Sequence, residues 1–291
     1  MKRYFAALLS TVFLFTISAC NNVEASIQNT ENNHIETNVT SDFETEAQKN
    51  MSNVKEITLN CTFGKMKGIY SGEMKNNLPH GQGKFVSQNQ NQSGWYYEGS
   101  FANGHFEGEG KTVFQNGQIQ QGNYINDIWH PNTIQFFEFL QTLPGSDFII
   151  NEKARTIFTG EKNYFPVTSS GELTNVIDKN ITYQNVIKNP DNYGDKFMSV
   201  SDLSVIAQST FSVTENPESL AELRGVYIEA SNDTNENYVL YYRGNIEDLK
   251  DASIIESAIG IPLDVIKKQD NTGAEKTYVV LAVSYISLQQ L

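Results

Sequence analysis

Two stretches of this chain align with each other at one fixed offset of 27 residues. Tyr70-Ser71-Gly72-Glu73-Met74 is matched by Tyr97-Glu98-Gly99-Ser100-Phe101, and His80-Gly81-Gln82-Gly83-Lys84 by Glu107-Gly108-Glu109-Gly110-Lys111. Tyr70, Gly72, Gly81 and Gly83 thus recur as Tyr97, Gly99, Gly108 and Gly110. A weaker third copy opens at Gln121-Gly122-Asn123-Tyr124, with Gly122 lying 23 residues after Gly99. The four extra residues of the first interval fall in the polar loop 88–94. A period of this size marks a supersecondary unit that cannot bury its apolar face alone and must stack on its neighbours. Here short aromatic-containing runs flank Asn76-Asn77-Leu78-Pro79-His80-Gly81 and Ala102-Asn103-Gly104, the pattern of a β-hairpin. Glycines at fixed offsets supply positive φ or let one hairpin approach the next. One hairpin is unstable by itself, so residues 57–63 and 123–125 are expected to extend the sheet at its two ends.

An aromatic-x-Gly start followed about ten residues later by Gly-x-Gly resembles the MORN repeat. The resemblance implies hairpins laid side by side in one elongated, curved sheet over residues 57–128. The first two copies match well. The third lacks the opening aromatic and the Gly-x-Gly, and reads as an end cap or a vestige.

The amino terminus carries an export pattern. Lys2 and Arg3 precede an uncharged, mostly apolar run from Tyr4 to Ile17, and Ile17-Ser18-Ala19-Cys20 closes it with small residues before a cysteine. Fourteen residues are too few to span a bilayer, which takes about 20. The last four residues resemble the lipobox of bacterial lipoproteins. That resemblance implies a signal peptide over 1–19, a diacylglyceryl group on the Cys20 sulfur and acylation of the new amino terminus. Plain signal-peptidase cleavage and an uncleaved signal anchor are the competing readings. Residues 20–56 are then expected to be a disordered tether, because Asn, Thr, Glu and Ser dominate there and large apolar side chains are few. Such a chain averages roughly 30–36 Å end to end.

Residues 129–181 read as a partly helical connector. Ile134, Phe136, Phe137 and Leu140 give one short apolar face that stops at Leu143-Pro144-Gly145. Phe148, Ile149, Ala154, Ile157 and Phe158 give another, broken at Phe165-Pro166. In residues 182–291, Thr182 to Lys196 reads as a short helix interrupted at Asn189-Pro190. Five β-branched or alternating runs follow, over 197–211, 225–230, 238–243, 254–266 and 278–288. Five strands at this spacing predict a small barrel. Asn189-Pro190-Asp191-Asn192-Tyr193-Gly194-Asp195-Lys196, the five strands and Tyr278-Val279-Val280-Leu281-Ala282-Val283 resemble an OB-fold-like module of secreted bacterial proteins. The expected fold is therefore mainly β: stacked hairpins, a helical connector, and a five-stranded OB-like barrel.

Charge limits the partners. The chain holds 21 basic and 34 acidic side chains; without Lys2 and Arg3 the formal net charge is −15. Residues 182–291 hold 16 acidic against 8 basic groups. That is the wrong sign for a phosphate backbone, so nucleic acid is disfavoured even though such barrels often bind single strands. Residues 57–127 hold five of each sign and offer no polybasic field for anionic lipid.

The search for chemistry yields no catalytic, metal or cofactor site. Gly-x-Ser-x-Gly, His-Glu-x-x-His and phosphate-loop motifs are missing from the sequence. Gly104 to Gly110 is glycine-rich but fits hairpin turn chemistry better than dinucleotide binding. His34, His80, His105 and His130 are scattered; His80 and His105 stand near equivalent turns, where solvated histidines are favoured over a metal pair. With Cys20 lipidated, Cys61 is unpaired and sits in an alternating stretch as a buried strand cysteine. Glu107 and Glu109 share a strand face with His105, and Asp233 and Glu236 lie in an Asn-rich turn without calcium-loop spacing.

What remains is surface. A one-layer sheet has two faces, so Trp95, Tyr96, Phe101, His105 and Phe106 are candidates for a binding surface. Packing of hairpin on hairpin, or beneath a helix over 132–141, is the competing arrangement and is favoured for any single ring. The expected function is a non-enzymatic binding or scaffolding lipoprotein, held on the cell membrane and facing outside the cytoplasm, with envelope or cell-wall proteins or glycans as partners. The alternatives are an envelope hydrolase whose site the sequence does not reveal, and ligand or nucleic-acid binding by the barrel.

Overall fold

Three asparagine-led turns set the geometry of the first half. Asn76-Asn77, Asn103-Gly104 and Asn126-Asp127 each place two consecutive residues at positive φ (51° and 63°, 52° and 91°, 49° and 71°). Two such residues are what a tight hairpin loop matched to strand twist requires. The computed structural model describes residues 54–88, 94–143, 145–212, 224–269 and 273–289. The expected signal peptide, the lipidation site Cys20 and the tether as far as residue 53 lie outside them.

Seven antiparallel strands form one sheet in chain order: β1 (Val54–Cys61), β2 (Gly64–Lys75), β3 (Leu78–Ser87), β4 (Trp95–Ala102), β5 (His105–Phe114), β6 (Ile119–Ile125) and β7 (Ile128–His130). The sheet begins three residues before its expected start and includes Val54-Lys55-Glu56. The repeat glycines pair across it: Gly72 with Gly83, Gly83 with Gly99, Gly99 with Gly110 and Gly110 with Gly122. Gly122 thus continues the row, and the third unit, with Asn126 standing 23 residues after Asn103, keeps the hairpin geometry although Gln120 replaces the tyrosine.

The row exists because of the tyrosines. A Cβ on Gly83 would lie 2.4 Å from the Tyr70 hydroxyl, and one on Gly110 would lie 2.2 Å from that of Tyr97. Each ring lies across a glycine of the adjacent strand, and its hydroxyl donates to a carbonyl three residues on: Tyr70 to Glu73 (2.6 Å), Tyr97 to Ser100 (2.8 Å).

The sheet also curls. Five strand spacings separate β1 from β6, roughly 24 Å in a flat sheet. Yet the Thr62 amide donates to Oδ2 of Asp127 at 2.9 Å, from the β1–β2 turn to the β6–β7 turn. The tyrosine-bearing face is therefore on the inside.

Helix α1 (Thr133–Gln141) covers the far end of that inner face. Asn132 caps it, accepting from the Gln135 amide while the Gln135 side chain accepts from the Asn132 amide. The same Gln135 side chain fills the space above Gly122, and Phe139 packs on Trp129 at 5.4 Å. Helix α2 (Glu152–Phe158) starts at Asn151, whose carboxamide accepts from the Ala154 amide and donates to Pro262 and Leu263 carbonyls. Residues 146–150 precede it outside any helix, and Ile149 is 70 % exposed rather than part of a helical face.

Helix α3 (Tyr183–Lys188) and a 3-10 turn at Pro190–Asn192 lead into β8 (Met198–Ser212), β9 (Arg224–Ser231), β10 (Asn237–Arg243), β11 (Ile254–Gln269) and β12 (Glu275–Leu288). These close into a barrel in the order β8-β9-β10-β12-β11, with β10 and β12 parallel and every other pair antiparallel. Leu203, Ile228, Leu240, Ala258, Leu281 and their neighbours fill the interior. Tyr183 and Val186 of α3 belong to that core, and the Tyr183 hydroxyl donates to the Thr277 carbonyl at 2.7 Å. Val239, Tyr241, Ile261 and Tyr278, on the outside of the barrel, join the connector and the inner face of the sheet in one continuous core.

Candidate functional site

Strand alternation decides which repeat residues are available to a partner. The inner parity carries Met66, Tyr70, Phe85, Trp95, Tyr97, Phe101, Phe106 and Trp129, all buried. Tyr97 stacks on Phe106 at 4.0 Å, Tyr70 and Tyr97 each meet Phe101 edge-on at 5.1 Å, and Phe63 from the curled β1–β2 turn reaches Trp95 at 6.4 Å. Trp95, Phe101 and Phe106 are therefore core residues and not a binding surface. The curl that brings Phe63 over them is a long-range contact that strand patterning does not encode. Tyr96 and His105 have the outer parity and are half-buried.

The outer face carries a different apolar row. Ile69 pairs with Val86, Val86 with Tyr96, Tyr96 with Val113 and Val113 with Ile119, across five strands. Ile69 is 36 % exposed and Val86 41 %. Beside it runs a charged row, Lys84–Glu98–Lys111, in the same register. Lys84 donates to Glu98 at 3.2 Å and lies 4.3 Å from the centre of the Tyr96 ring. Exposed pairs of this kind add little stability, about 0–1 kcal/mol. Sequence reasoning named Tyr96 but passed over the rest of this row, because it was drawn to the larger aromatic groups. The signal was the parity: each of Ile69, Val86, Tyr96 and Val113 adjoins an inward-facing residue in sequence.

His105 has a structural partner. Its Nδ1 is 2.7 Å from Oδ2 of Asp127, a carboxylate with no exposed side-chain surface. The other oxygen, Oδ1, accepts from the Phe106 amide at 2.8 Å. Asp127 therefore ties three turns together. Glu107 accepts from the Asn126 amide at 2.8 Å and belongs to the same tie, while Glu109 is exposed. Burial, and then the Asp127 charge, push the Cys61 thiol well above its ordinary range, so it is a poor nucleophile. Among the described residues no three His, Cys, Asp or Glu side chains are placed to hold a metal ion.

The barrel carries two features of its own. On its outside, the Lys268 ammonium donates to Glu229 at 2.7 Å and to the Tyr227 hydroxyl at 2.6 Å, while Tyr227 itself donates to Glu229. Burial, and then Glu229, raise the Tyr227 phenol, so the three groups satisfy one another rather than leaving one activated. At the end of the barrel away from α3, Tyr242, Ile246, Ile254, Ile286 and Leu288 line the floor of an open cavity of about 740 Å3, with Glu247, Asp248 and Lys250 at its rim. Asp233 and Glu236 sit in a turn organised by Asn232, where Glu236 accepts from Asn232 and from the Tyr238 hydroxyl.

Comparison with known proteins bears on the sheet alone. No curated protein matches the chain. The MORN repeat family model matches it twice, over residues 70–92 and 97–119.

Proposed function

We propose that this chain is a membrane-tethered lipoprotein that works outside the cytoplasm as a binding or scaffolding protein. The observation that carries the binding role is the outer face of the repeat sheet. It presents a register-aligned apolar row, in which Ile69 and Val86 are exposed, beside an alternating Lys84–Glu98–Lys111 row. Surfaces that mix apolar and charged rows in this way suit a protein partner of the envelope. The lipobox-like Ile17-Ser18-Ala19-Cys20 supports the anchor.

The barrel is read as an OB fold, supported by its strand order of 1-2-3-5-4 closing on 1 and by the parallel pairing of its third and fifth strands. In that fold the face of the second and third strands takes oligonucleotides or oligosaccharides. Here the outer side of those strands is already occupied: Phe148 of the connector packs on Tyr241 at 4.9 Å. Together with the negative charge, this argues against nucleic acid as the ligand.

In-cell crosslinking of the membrane fraction tests the binding role. Envelope proteins captured by the wild type should be lost from Val86→Asp and Tyr96→Asp variants of unchanged thermal stability. Capture unaffected by either substitution would move the binding surface elsewhere. For the anchor, a Cys20→Ala variant should take up no labelled acyl chain and should leave the membrane fraction; retention would refute it.

A further inference from the structure

The seven-stranded sheet has two unlike ends. At one, β7 is three residues long and runs directly into Pro131 and α1. At the other, β1 is an eight-residue strand without proline or bulge, and nothing among the described residues pairs with its outer edge. Proteins ordinarily blunt such an edge.

The pairing with β2 shows which groups are free. Cys61 faces Gly64 across a two-residue turn, so the backbone of Cys61, Leu59, Ile57 and Lys55 bonds to β2. By alternation, the N–H and C=O groups of Val54, Glu56, Thr58 and Asn60 point outward. All four of these residues are exposed. The Glu56 carboxylate, the one charge among them, is already held by Lys67 of β2.

We propose that two copies of this chain pair antiparallel through β1, about a two-fold axis at Ile57. In this register Val54 faces Asn60 and Glu56 faces Thr58 of the second copy, so all four outward residues find a partner, with about eight backbone hydrogen bonds. Lys55 faces Leu59, and no like charges meet. The neighbouring symmetric registers are poorer. An axis at Glu56 sets two carboxylates opposite each other, and an axis at Thr58 leaves Val54 against the turn residue Thr62, whose amide is committed to Asp127. An isologous contact of this kind closes on itself and stops at two. The inference does not depend on the lipid anchor.

Light scattering on the chain carrying Cys20→Ser, so that acyl groups cannot drive association, should give twice the chain mass. Thr58→Pro removes an outward N–H at an edge position where proline is tolerated, and should give the single-chain mass with unchanged thermal unfolding. Ile57→Cys reports the register independently. Directly opposed, non-hydrogen-bonded residues come close enough for a disulfide, so this variant should form a covalent dimer under oxidising conditions while Thr58→Cys should not. A monomeric parent chain would overturn the proposal, including the case in which β1 instead receives a strand from another protein. So would a dimer that survives Thr58→Pro, or an Ile57→Cys variant that does not link.

Discussion

Gly110 has ordinary backbone angles, yet no side chain fits there. An added methyl would lie within 2.5 Å of three atoms of the Tyr97 ring. Gly110→Ala should therefore destabilise the protein by about 1–3 kcal/mol, the cost of overpacking, read as a lower urea midpoint. Gly94→Ala is the control: nothing lies within 4 Å of its added Cβ, and the change should stay within about 0.5 kcal/mol. The spacing of Tyr97 and Gly110 was legible in the sequence, whereas the reason for it was not. The glycine answers to a ring on the adjacent strand, and that becomes visible only once register is known. The same limit explains the misplaced surface. Trp95, Phe101 and Phe106 differ from Tyr96 by one step of strand parity, and bulk drew attention to the wrong side.

At the scale of elements, the hairpins were legible and the barrel strands lay within about three residues of their expected ends, because turn chemistry and β-branched runs are local signals. The curl was not. It depends on Asp127 meeting Thr62 and Phe106, contacts that join distant turns. Asp127→Asn keeps a residue that tolerates positive φ but weakens the charge-assisted bonds; it should cost about 1.5–3 kcal/mol and speed proteolysis near the β1–β2 turn. The inner tyrosines give a second test. Burial raises the Tyr70 phenol from 10.0 to about 12, and Tyr97 and Tyr124 further. A proton held more tightly in the folded state stabilises it fully below pH 10, and that contribution is lost as pH climbs through the folded-state values. Stability should thus fall from pH 10 toward 12, with the phenolate absorbance of these three buried rings appearing together with unfolding.

For the molecule as a whole, sheet, connector and barrel exterior share one apolar core. Arg243 of β10 reinforces the junction, donating to the Pro131 carbonyl at 2.8 Å and lying over the Phe136 ring at 5.2 Å. The expected outcome in calorimetry is one heat-absorption peak with equal calorimetric and van't Hoff enthalpies; two resolved peaks would mean that sheet and barrel melt separately. The sequence separated a repeat region, a connector and a barrel by composition, and could not reveal that their apolar faces merge.

The tie between Thr62 and Asp127 has one more consequence. Most stacked-hairpin sheets are open-ended arrays, in which another unit can be added without disturbing those already there. This one counts. The turn that begins the array touches the turn that ends it, so one extra hairpin would carry Asp127 past Thr62 and one fewer would leave it short. The number of repeats is written into the fold as a closed length, and duplication or loss of a single unit should be far less tolerated here than in an array with free ends.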